Sequence, residues 1–284
     1  MKLILSRKGF DSSAGGKPSP IFPDGTMISF PIPDTVSPIA YQDIAGNQHA
    51  SVGELVKDLA RRPPAHRAHL DPDLSAGALP RLRGWRPIFG QEGAAEKHLE
   101  NHGVGPGDVF VFFGRFRRVE RAGSEWRYVR SRCPVHVIFG WLQVAERVPV
   151  CEWPGGAEWA LYHPHFHRQR HEANVIYVAA ERLTLPGLQP SAVPGAGLFP
   201  CFAPQLQLTE PERRQTSLWL LPEWFHPSQR GSVLTYHGDP SRWRRLKEGV
   251  MLKAASRGQE FVLNCEDYPE AVNWLAELLK LATP

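Results

Sequence analysis

The composition of this 284-residue chain is typical of a folded globular protein, because 42% of its residues are hydrophobic and 22% are charged. A net charge of +4 does not by itself indicate a protein that binds polyanions, and no apolar run approaches the roughly 18 residues of a membrane-spanning helix. The 27 prolines and 25 glycines disfavour a helical bundle and favour many short strands joined by ordered loops.

The four cysteines do not predict a metal site. They stand at positions 133, 151, 201 and 265, without the close pairing that thiolate metal sites show, and no secretory segment is recognisable at the start of the sequence. We therefore expect buried, unpaired thiols and a reducing, cytoplasmic location.

Residues 6–12 form the strongest candidate site in the N-terminal part. A short apolar strand over residues 3–5 leads into two cations, a carboxylate and hydroxyls grouped around a glycine. Arg7 and Lys8 are predicted to hold a phosphate, and Gly9 lets the backbone approach it. Asp11 is predicted to act as a base or to orient a ribose hydroxyl. The alternative is that Arg7 and Asp11 pair with each other and only order the loop. The predicted substrate ligands of this segment are Ser6, Arg7, Lys8, Gly9 and Ser12, and its predicted catalytic residue is Asp11.

Two helices and a polar loop follow. Ser51 and Glu54 form a capping box that predicts a helix ending at Pro63-Pro64, and residues 90–101 predict a second helix. Between them, His69, Asp71 and Asp73 crowd a short loop. Such carboxylates can bind a divalent ion or transfer protons, but a helix cap and a turn explain them as well.

Residues 105–148 predict the central hairpin of the sheet. A Gly-Asp turn precedes an apolar strand over residues 109–114, and a long second strand over residues 134–148 contains Gly140, which indicates a bulge. The connecting segment, 115–132, carries seven arginines among aromatic residues, so Trp126 is a candidate for base stacking and Arg127 for phosphate binding. Core packing is the alternative role for the aromatic rings. The order of these elements looks like the central hairpin of PUA-like barrels, a group that commonly handles RNA or modified bases.

Residues 159–171 are rich in histidine. His163, His165 and His167 alternate, so an extended segment would project all three to one face, as metal ligands require. Pro164 opposes a central strand, and no fourth ligand is evident. We therefore predict no metal, and an acid–base or hydrogen-bonding role for His163 or His165. Strands are predicted at 174–179 and 261–263, and a terminal amphipathic helix at 269–281.

Several motifs resemble the nucleotide modification associated domain family, type 3. They are SRKGFDSSAGGKPSPIFPDG at 6–25 with Tyr41 and Asp43 after it, HLDPDL at 69–74, FGQEGAAEKHLENHGVGPGDVFVFFGRFR at 89–117, HPHF at 163–166, NVIYVA at 174–179, SLWLLPEWF at 217–225 and GQEFVL at 258–263. The resemblance implies a role in making or handling modified nucleotides, and Tyr41 joins the candidate substrate ligands on that ground.

Together these features predict one composite α+β domain over residues 1–284, with a mixed, mostly antiparallel sheet or a partly open barrel and several flanking helices. We expect it to bind a nucleotide or a base within nucleic acid and to modify, process or recognise it, with Asp11, His163 and His165 as catalytic candidates. A noncatalytic reader of modified bases, and a small-molecule transferase or hydrolase unrelated to nucleic acid, are the alternatives. The sequence leaves the cofactor, the base and the oligomeric state open.

Overall fold

A computed structural model of the chain describes residues 1–11, 14–60, 66–169, 171–189, 192–228 and 230–282. The strands within these residues are β1 (Lys2–Arg7), β2 (Ser19–Ile21), β3 (Ile32–Asp34), β4 (Arg67–His69), β5 (Ile88–Glu92), β6 (Val109–Ala122), β7 (Glu125–Tyr128), β8 (Val135–Pro149), β9 (Asn174–Ala179), β10 (Ala196–Leu198), β11 (Leu218–Leu221), β12 (Trp243–Leu246), β13 (Gly249–Lys253) and β14 (Glu260–Asn264). The α-helices are α1 (Val52–Ala60), α2 (Gly93–Asn101) and α3 (Glu270–Leu279).

One large mixed sheet forms the centre of the molecule. Its main path runs β14-β1-β6-β8-β9-β5, while β2 and β7 pair with β6, and β10 pairs with β8. All pairings are antiparallel except β1 with β6 and β2 with β6. The predicted α+β class with a mostly antiparallel sheet is therefore confirmed. Over the described residues the sheet keeps two free ends, β14 and β5, and does not close into a barrel.

The predicted central hairpin is the pair β6 and β8. Its strands are long because β-branched and aromatic residues continue through both, and long stretches of each strand are buried. The bulge expected near Gly140 is present: Phe112 pairs with Gly140 and Phe113 with Ile138, so Phe139 is the additional residue. A bulge redirects a side chain, and Phe139 lines the apolar cavity described below.

The main core lies between this sheet and the elements near the C-terminus. The small sheet β11-β13-β12 places Trp219 against Phe113 and Phe261 in edge-to-face contacts. Helix α3 adds Trp274, which makes an edge-to-face contact with Trp224. The predicted terminal helix is confirmed, although its α-helical part begins at Glu270 and ends at Leu279. No helix among the described residues is long and apolar enough to cross a membrane.

Helix α1 and the N-terminal loops enclose a second core. The capping box is present, because Ser51 N–H donates to Glu54 Oε2 at 2.8 Å and Glu54 N–H donates to Ser51 Oγ at 3.3 Å. The expected end at Pro63-Pro64 lies outside the described residues. Helix α2 begins at Gly93 rather than at position 90, because residues 90–92 continue β5 and pair with β9.

A third, smaller core covers the outer face of β5 and β9. Residues 150–167, mostly short 3-10 helices, pack Val150, Ala160 and Phe166 onto Ile88, Ile176 and Val178. On the neighbouring side, Asp73 pairs with Ile88 through two backbone hydrogen bonds of 2.9 and 3.0 Å. This packing brings the histidine-rich segment and the 69–74 loop together at β5.

Candidate functional site

Three imidazoles surround one buried carboxylate beside β5. We define the histidine–aspartate cluster as His69, Asp71, His163 and His165. The Nε2 atoms of His69 and His165 lie 3.7 and 3.8 Å from Asp71 Oδ2, and His163 Nε2 lies 3.3 Å from Asp71 Oδ1. One donor atom from each of His69, Asp71 and His165 lies within 4.8 Å of the others. The sequence predicted these residues as two separate groups, and the fold joins them.

Three segments supply the cluster. The two-stranded ribbon of β3 and β4 carries His69, because Ile32 pairs with His69 at its end. Asp71 follows in the stretch that runs beside β5, where its Oδ1 accepts the Gly90 N–H at 2.8 Å. The 3-10 helix Pro164–His167 carries His165 and is preceded by His163.

Outer hydrogen bonds orient two of the rings. His69 Nδ1 lies 2.7 Å from Asp34 Oδ2, which also receives a hydrogen bond from Arg168 at 3.0 Å. His165 Nδ1 lies 2.6 Å from Asn174 Oδ1, and Asn174 is held in that orientation because its amide donates to the His165 and Gln169 carbonyls, both at 3.0 Å. Both rings therefore direct Nε2 toward Asp71.

Burial and neighbouring charges shift the pKa values of Asp71, His165 and His69. Burial alone raises the pKa of Asp71, but the imidazoles of His163 and His69 outweigh it and lower that pKa well below its usual range. For His165, burial dominates and lowers the pKa to about 3. Burial also lowers the pKa of His69, yet Asp34 and Asp71 outweigh it and raise that pKa overall. At neutral pH Asp71 is ionised and His165 is neutral.

Gly90 makes the close approach of His165 possible. A Cβ atom at position 90 would lie 2.3 Å from Cδ2 and 2.7 Å from Nε2 of the His165 ring. Any side chain here therefore displaces the ring. The requirement for glycine is steric, since the backbone is that of an ordinary strand.

The alternating histidines do not all join the cluster. His163 is fully buried, and neither of its ring nitrogens makes a hydrogen bond of good geometry within the described residues. His167 is exposed, and its Nε2 lies 3.1 Å from the Leu161 carbonyl. The expectation of one shared face fails because the segment is a 3-10 helix rather than a strand.

A cavity of about 380 Å³ adjoins the cluster. Asp71 belongs both to its lining and to the cluster, and Gly9 contributes backbone to another part of its wall. The apolar part of the wall is formed by Met27, Ile28, Leu74, Phe139, Leu198 and Phe199. A concave, mainly apolar cavity of this size with a few polar groups is the usual form of a small-molecule site.

Asp73, the second carboxylate of the cavity lining, is already neutralised. Both of its oxygens accept hydrogen bonds from Arg81 at 2.7 Å, and the Tyr162 hydroxyl donates to Oδ2 at 2.5 Å. The sequence grouped Asp73 with Asp71, but only Asp71 faces the imidazoles. Asp73 thus stabilises the wall that carries Asp71.

The predicted phosphate grip is not assembled as expected, because Arg7 and Lys8 enter different surroundings. Arg7 donates to the carbonyls of Ser256 and Gly258, at 3.0 and 2.5 Å. Lys8 is paired with the buried Glu260 at 2.8 Å. Ser6 is also buried, and its hydroxyl has no hydrogen-bond partner among the described residues.

Arg7 and Asp11 line a second cavity, of about 280 Å³, together with Arg115 and His136. This cavity shares no lining residue with the one at Asp71. Asp11 Oδ1 accepts the Ala14 N–H at 2.8 Å and so orders its own turn. Ser12 lies outside the described residues. The predicted catalytic role of Asp11 stays a prediction, at a cavity separate from the histidine–aspartate cluster.

The remaining predicted ligands lie in the second core or on its surface. Tyr41 is buried and donates its hydroxyl to the Pro31 carbonyl at 3.0 Å. Trp126 packs edge-on against Phe22 and is 5% exposed, while Arg127 pairs at the surface with Glu120. Trp126 and Arg127 line neither of the two cavities above, but they share a third cavity, of about 840 Å³, with Tyr128 and Arg130. Their role in binding substrate stays a prediction.

Comparison with protein families matches residues 2–264 to nucleotide modification associated domain 3. The chain belongs to the nucleotide modification associated domain 3 family. The resemblance seen in the sequence motifs is thereby confirmed. The histidine–aspartate cluster and its cavity lie entirely within the part of the chain that matches this family. Curated proteins and solved structures give no significant match.

Sequence reasoning missed three residues that organise the cluster: Asp34, Gly90 and Asn174. Asp34 stands in a proline-rich loop, and Asn174 begins a predicted strand, so neither position suggests a bond to histidine. Gly90 lies at the end of an apolar run and before a helix, where glycine usually marks a boundary. The signal that could have placed it in a strand is the apolar pair Ile88 and Phe89 just before it.

Proposed function

We propose that the protein binds a nucleoside base, free or within a nucleotide or nucleic acid, in the 380 Å³ cavity and acts on it with the histidine–aspartate cluster. Membership of the nucleotide modification associated domain 3 family associates the chain with nucleotide modification. The observation that carries the proposal is that Asp71 is shared by the apolar cavity and the three imidazoles.

The walls suit a flat heteroaromatic ring. Phe139 and Phe199 both line the cavity, and aromatic side chains bind bases by stacking. Two further lining side chains, Asn47 and Gln48, carry amides that already bond within the protein, Asn47 to Thr26 and His49 and Gln48 to Asp24. Each amide keeps a second hydrogen and a second lone pair for the edge of a base. The cavity therefore combines a stacking surface with groups that distinguish one base edge from another.

The reactive groups lie at the Asp71 end. Asp71 is the cluster member that reaches the cavity, so it is the group that meets a bound base. His163 and His165 stand behind it and keep the acid–base role predicted from the sequence, while the role of the carboxylate moves from Asp11 to Asp71. Asp71 is ionised at neutral pH, so it can accept a hydrogen bond from the edge of a bound base or orient a water beside it.

Binding can be measured by titration calorimetry with nucleosides, their 5′-monophosphates and short oligonucleotides that carry ordinary or modified bases. Phe139→Leu keeps an apolar wall but removes the ring, and stacking of this kind contributes about 0.5–1.5 kcal/mol, so we expect affinity to fall about 2- to 10-fold. Leu82→Ala is the control, because Leu82 is an exposed apolar residue that does not line the cavity.

Turnover separates an enzyme from a reader. Mass spectrometry of nucleosides after incubation should show a product with the native protein and none with Asp71→Asn. Binding without any product, unaffected by Asp71→Asn, would favour a noncatalytic reader. Failure of every nucleoside, nucleotide and oligonucleotide to bind would contradict the proposal and favour a small-molecule enzyme unrelated to nucleic acid.

A further inference from the structure

The histidine–aspartate cluster has the donor arrangement of a metal centre. We propose that His69, Asp71 and His165 bind one divalent transition-metal ion, either Zn²⁺ or Fe²⁺. The sequence alone favoured a metal-free role for His165, because Pro164 opposed a central strand and no fourth ligand was evident. His69 and Asp71 stand more than ninety residues before it. The proposal rests on the geometry that folding creates.

The distances fit an ion better than hydrogen bonds. The two Nε2 atoms lie 3.7 and 3.8 Å from Asp71 Oδ2, which is beyond hydrogen-bond range. Two ligand atoms that each lie about 2.1 Å from a tetrahedral ion are roughly 3.4 Å apart. A contraction of a few tenths of an ångström brings both histidine–Asp71 distances to that value, and the three ligand atoms already lie within 4.8 Å of one another.

The hydrogen bonds of Asn174 and Asp34 to Nδ1 leave the Nε2 atoms of His165 and His69 available to an ion. The His165 Nδ1–H donates to Asn174 Oδ1, so the ring directs Nε2 toward Asp71 and leaves that atom available to an ion. His69 is oriented in the same way by Asp34, and Asp71 by the Gly90 N–H. Metal-binding histidines almost always have such an outer partner.

His163 is an independent sign of a missing partner. It is fully buried, yet neither ring nitrogen makes a hydrogen bond of good geometry among the described residues. Its Nε2 lies 3.3 Å from Asp71 Oδ1, the oxygen on the other side of the carboxylate. A buried polar group is rarely left in this state, and an ion that draws Asp71 into place would also fix the contact with His163.

The donor set narrows the choice of ion. Imidazole ligands disfavour Mg²⁺ and Ca²⁺, which prefer oxygen. Two histidines and one carboxylate are the ligands of catalytic Zn²⁺ sites, and also those of the facial triad that binds Fe²⁺. Either ion would keep a coordination position open for water or substrate, and Zn²⁺ held by these residues would lower the pKa of a bound water. That chemistry rests on the proposed function, whereas binding of the ion does not.

The test begins with the full chain purified without a histidine tag and without oxygen. Elemental analysis is expected to find one ion per chain, and the element found distinguishes zinc from iron. Asp71→Asn, His69→Gln and His165→Gln should each lose the ion, while Asp34→Asn should weaken binding about 10- to 100-fold by releasing His69. His167→Gln is the matched control, since His167 belongs to the same segment but is exposed.

A spectroscopic measurement on the native chain tests the ion site even where the variants fail to fold. The native chain, stripped with a chelator and titrated with Co²⁺, should develop visible absorption bands that Zn²⁺ or Fe²⁺ then abolishes. Metal content far below one equivalent in the native protein, together with no Co²⁺ binding, would overturn the proposal. Equal metal content in the Asp71→Asn and His167→Gln proteins would do so as well.

The outcomes also separate the two proposals. Metal bound by a protein that binds no nucleoside supports the ion site and contradicts the proposed function. Nucleoside binding that Phe139→Leu weakens, in a protein that binds no metal, supports the function and contradicts the ion site. The Phe139 ring packs against Phe112 and Phe116 in the main core, so Phe139→Leu should leave the metal content unchanged.

Discussion

Gly90→Ala is the most direct test of how the cluster is built. The substitution adds one methyl group to a buried strand without changing charge or polarity. Its Cβ would lie 2.3 Å from His165 Cδ2, whereas ordinary contacts between carbon atoms are about 3.5–4.0 Å long. The imidazole must therefore retreat by about 1 Å, which breaks its alignment with Asp71 or its hydrogen bond to Asn174.

Two opposing contributions determine how Gly90→Ala changes the free energy of unfolding. Overpacking of a well-packed interior usually costs about 1–3 kcal/mol. Replacing glycine by alanine at an unstrained position returns about 0.4–1 kcal/mol, because the unfolded chain loses freedom. The net expectation is a loss of about 1–2 kcal/mol in the free energy of unfolding. With a denaturant slope of about 3 kcal/mol per molar urea, the unfolding midpoint should fall by about 0.5 M.

Urea unfolding followed by tryptophan fluorescence measures this cost, and nucleoside and metal binding are then measured where the variant is fully folded. We expect the metal-binding constant to fall about tenfold or more, because His165 is displaced. Gly105→Ala is the control: no atom lies within 4 Å of the position that the added methyl group would take, and the backbone of Gly105 is not left-handed. Gly105→Ala should raise the free energy of unfolding by about 0.4–1 kcal/mol, because the unfolded chain loses freedom, and should leave binding unchanged.

The reasoning would be refuted by a Gly90→Ala protein with native stability and native binding. That result would mean that the His165 ring moves without cost, so that neither Asn174 nor Asp71 holds it. If Gly90→Ala lowered stability but left binding unchanged, the steric conflict with His165 would be confirmed. The role of His165 in binding would be contradicted.

Three further predictions concern other parts of the molecule. His136 accepts the Trp219 indole N–H at 2.9 Å, and burial lowers the pKa of His136 from 6.5 to about 3. Its contribution to the free energy of unfolding is therefore complete above pH 6.5 and is lost as the pH falls toward 3. His136→Asn should therefore reduce the change in the free energy of unfolding with pH by up to about 1.4 kcal/mol per pH unit. Urea titrations between about pH 4 and 7 measure this change, and an unchanged pH dependence would contradict a neutral His136 in the folded protein. Arg115→Gln should weaken phosphate binding in the 280 Å³ cavity about 10-fold, because it removes one of the two arginines that line it. Calorimetry with inorganic phosphate measures the change, and an unchanged affinity would contradict a phosphate site there. Ser51→Ala should cost about 1 kcal/mol by removing the cap of α1, and a melting temperature equal to that of the native protein would show that Glu54 alone suffices.

Local patterns predicted the elements well where one signal dominated. Residues 109–114 are a run of β-branched and aromatic residues after a turn, and they form the start of β6. The Ser51-Glu54 capping box indicated the start of α1, and Gly140 indicated the bulge in β8. These signals are encoded within a few residues, so they can be recognised without knowledge of the fold.

The start of α2 shows where local signals compete. Residues 90–101 contain alanine, glutamate and leucine at helical spacing, which predicted a helix from position 90. In the structure Gly90 pairs with Ile176, and Glu92 with Asn174, so β9 holds these residues in a strand. Pairing with a strand more than eighty residues away overrode local propensity.

The histidine–aspartate cluster also depends on contacts between distant segments, which local sequence signals do not reveal. His163 and His165 were recognised as candidates, and His69 and Asp71 as a separate polar loop. Their meeting depends on the third core, which packs residues 150–167 on the outer face of β5 and β9, and on the Asp73–Ile88 pairing. Neither contact has a signature in the residues that make it. Arg7 and Lys8 show the converse, because they are neighbours in sequence but have different partners in the fold.

The two carboxylates at the cavity explain why the chemistry is assigned to Asp71. Asp71 and Asp73 are two residues apart and line the same space, yet their partners differ. Asp73 has a permanent cation, Arg81, whose two hydrogen bonds of 2.7 Å use both of its oxygens. Asp71 faces three imidazoles, whose ring nitrogens can bind an ion. A carboxylate held by arginine is fixed in place, whereas Asp71 can share a metal ion with its neighbours. The fold thus uses one carboxylate to stabilise the wall and leaves the other available to the ligand.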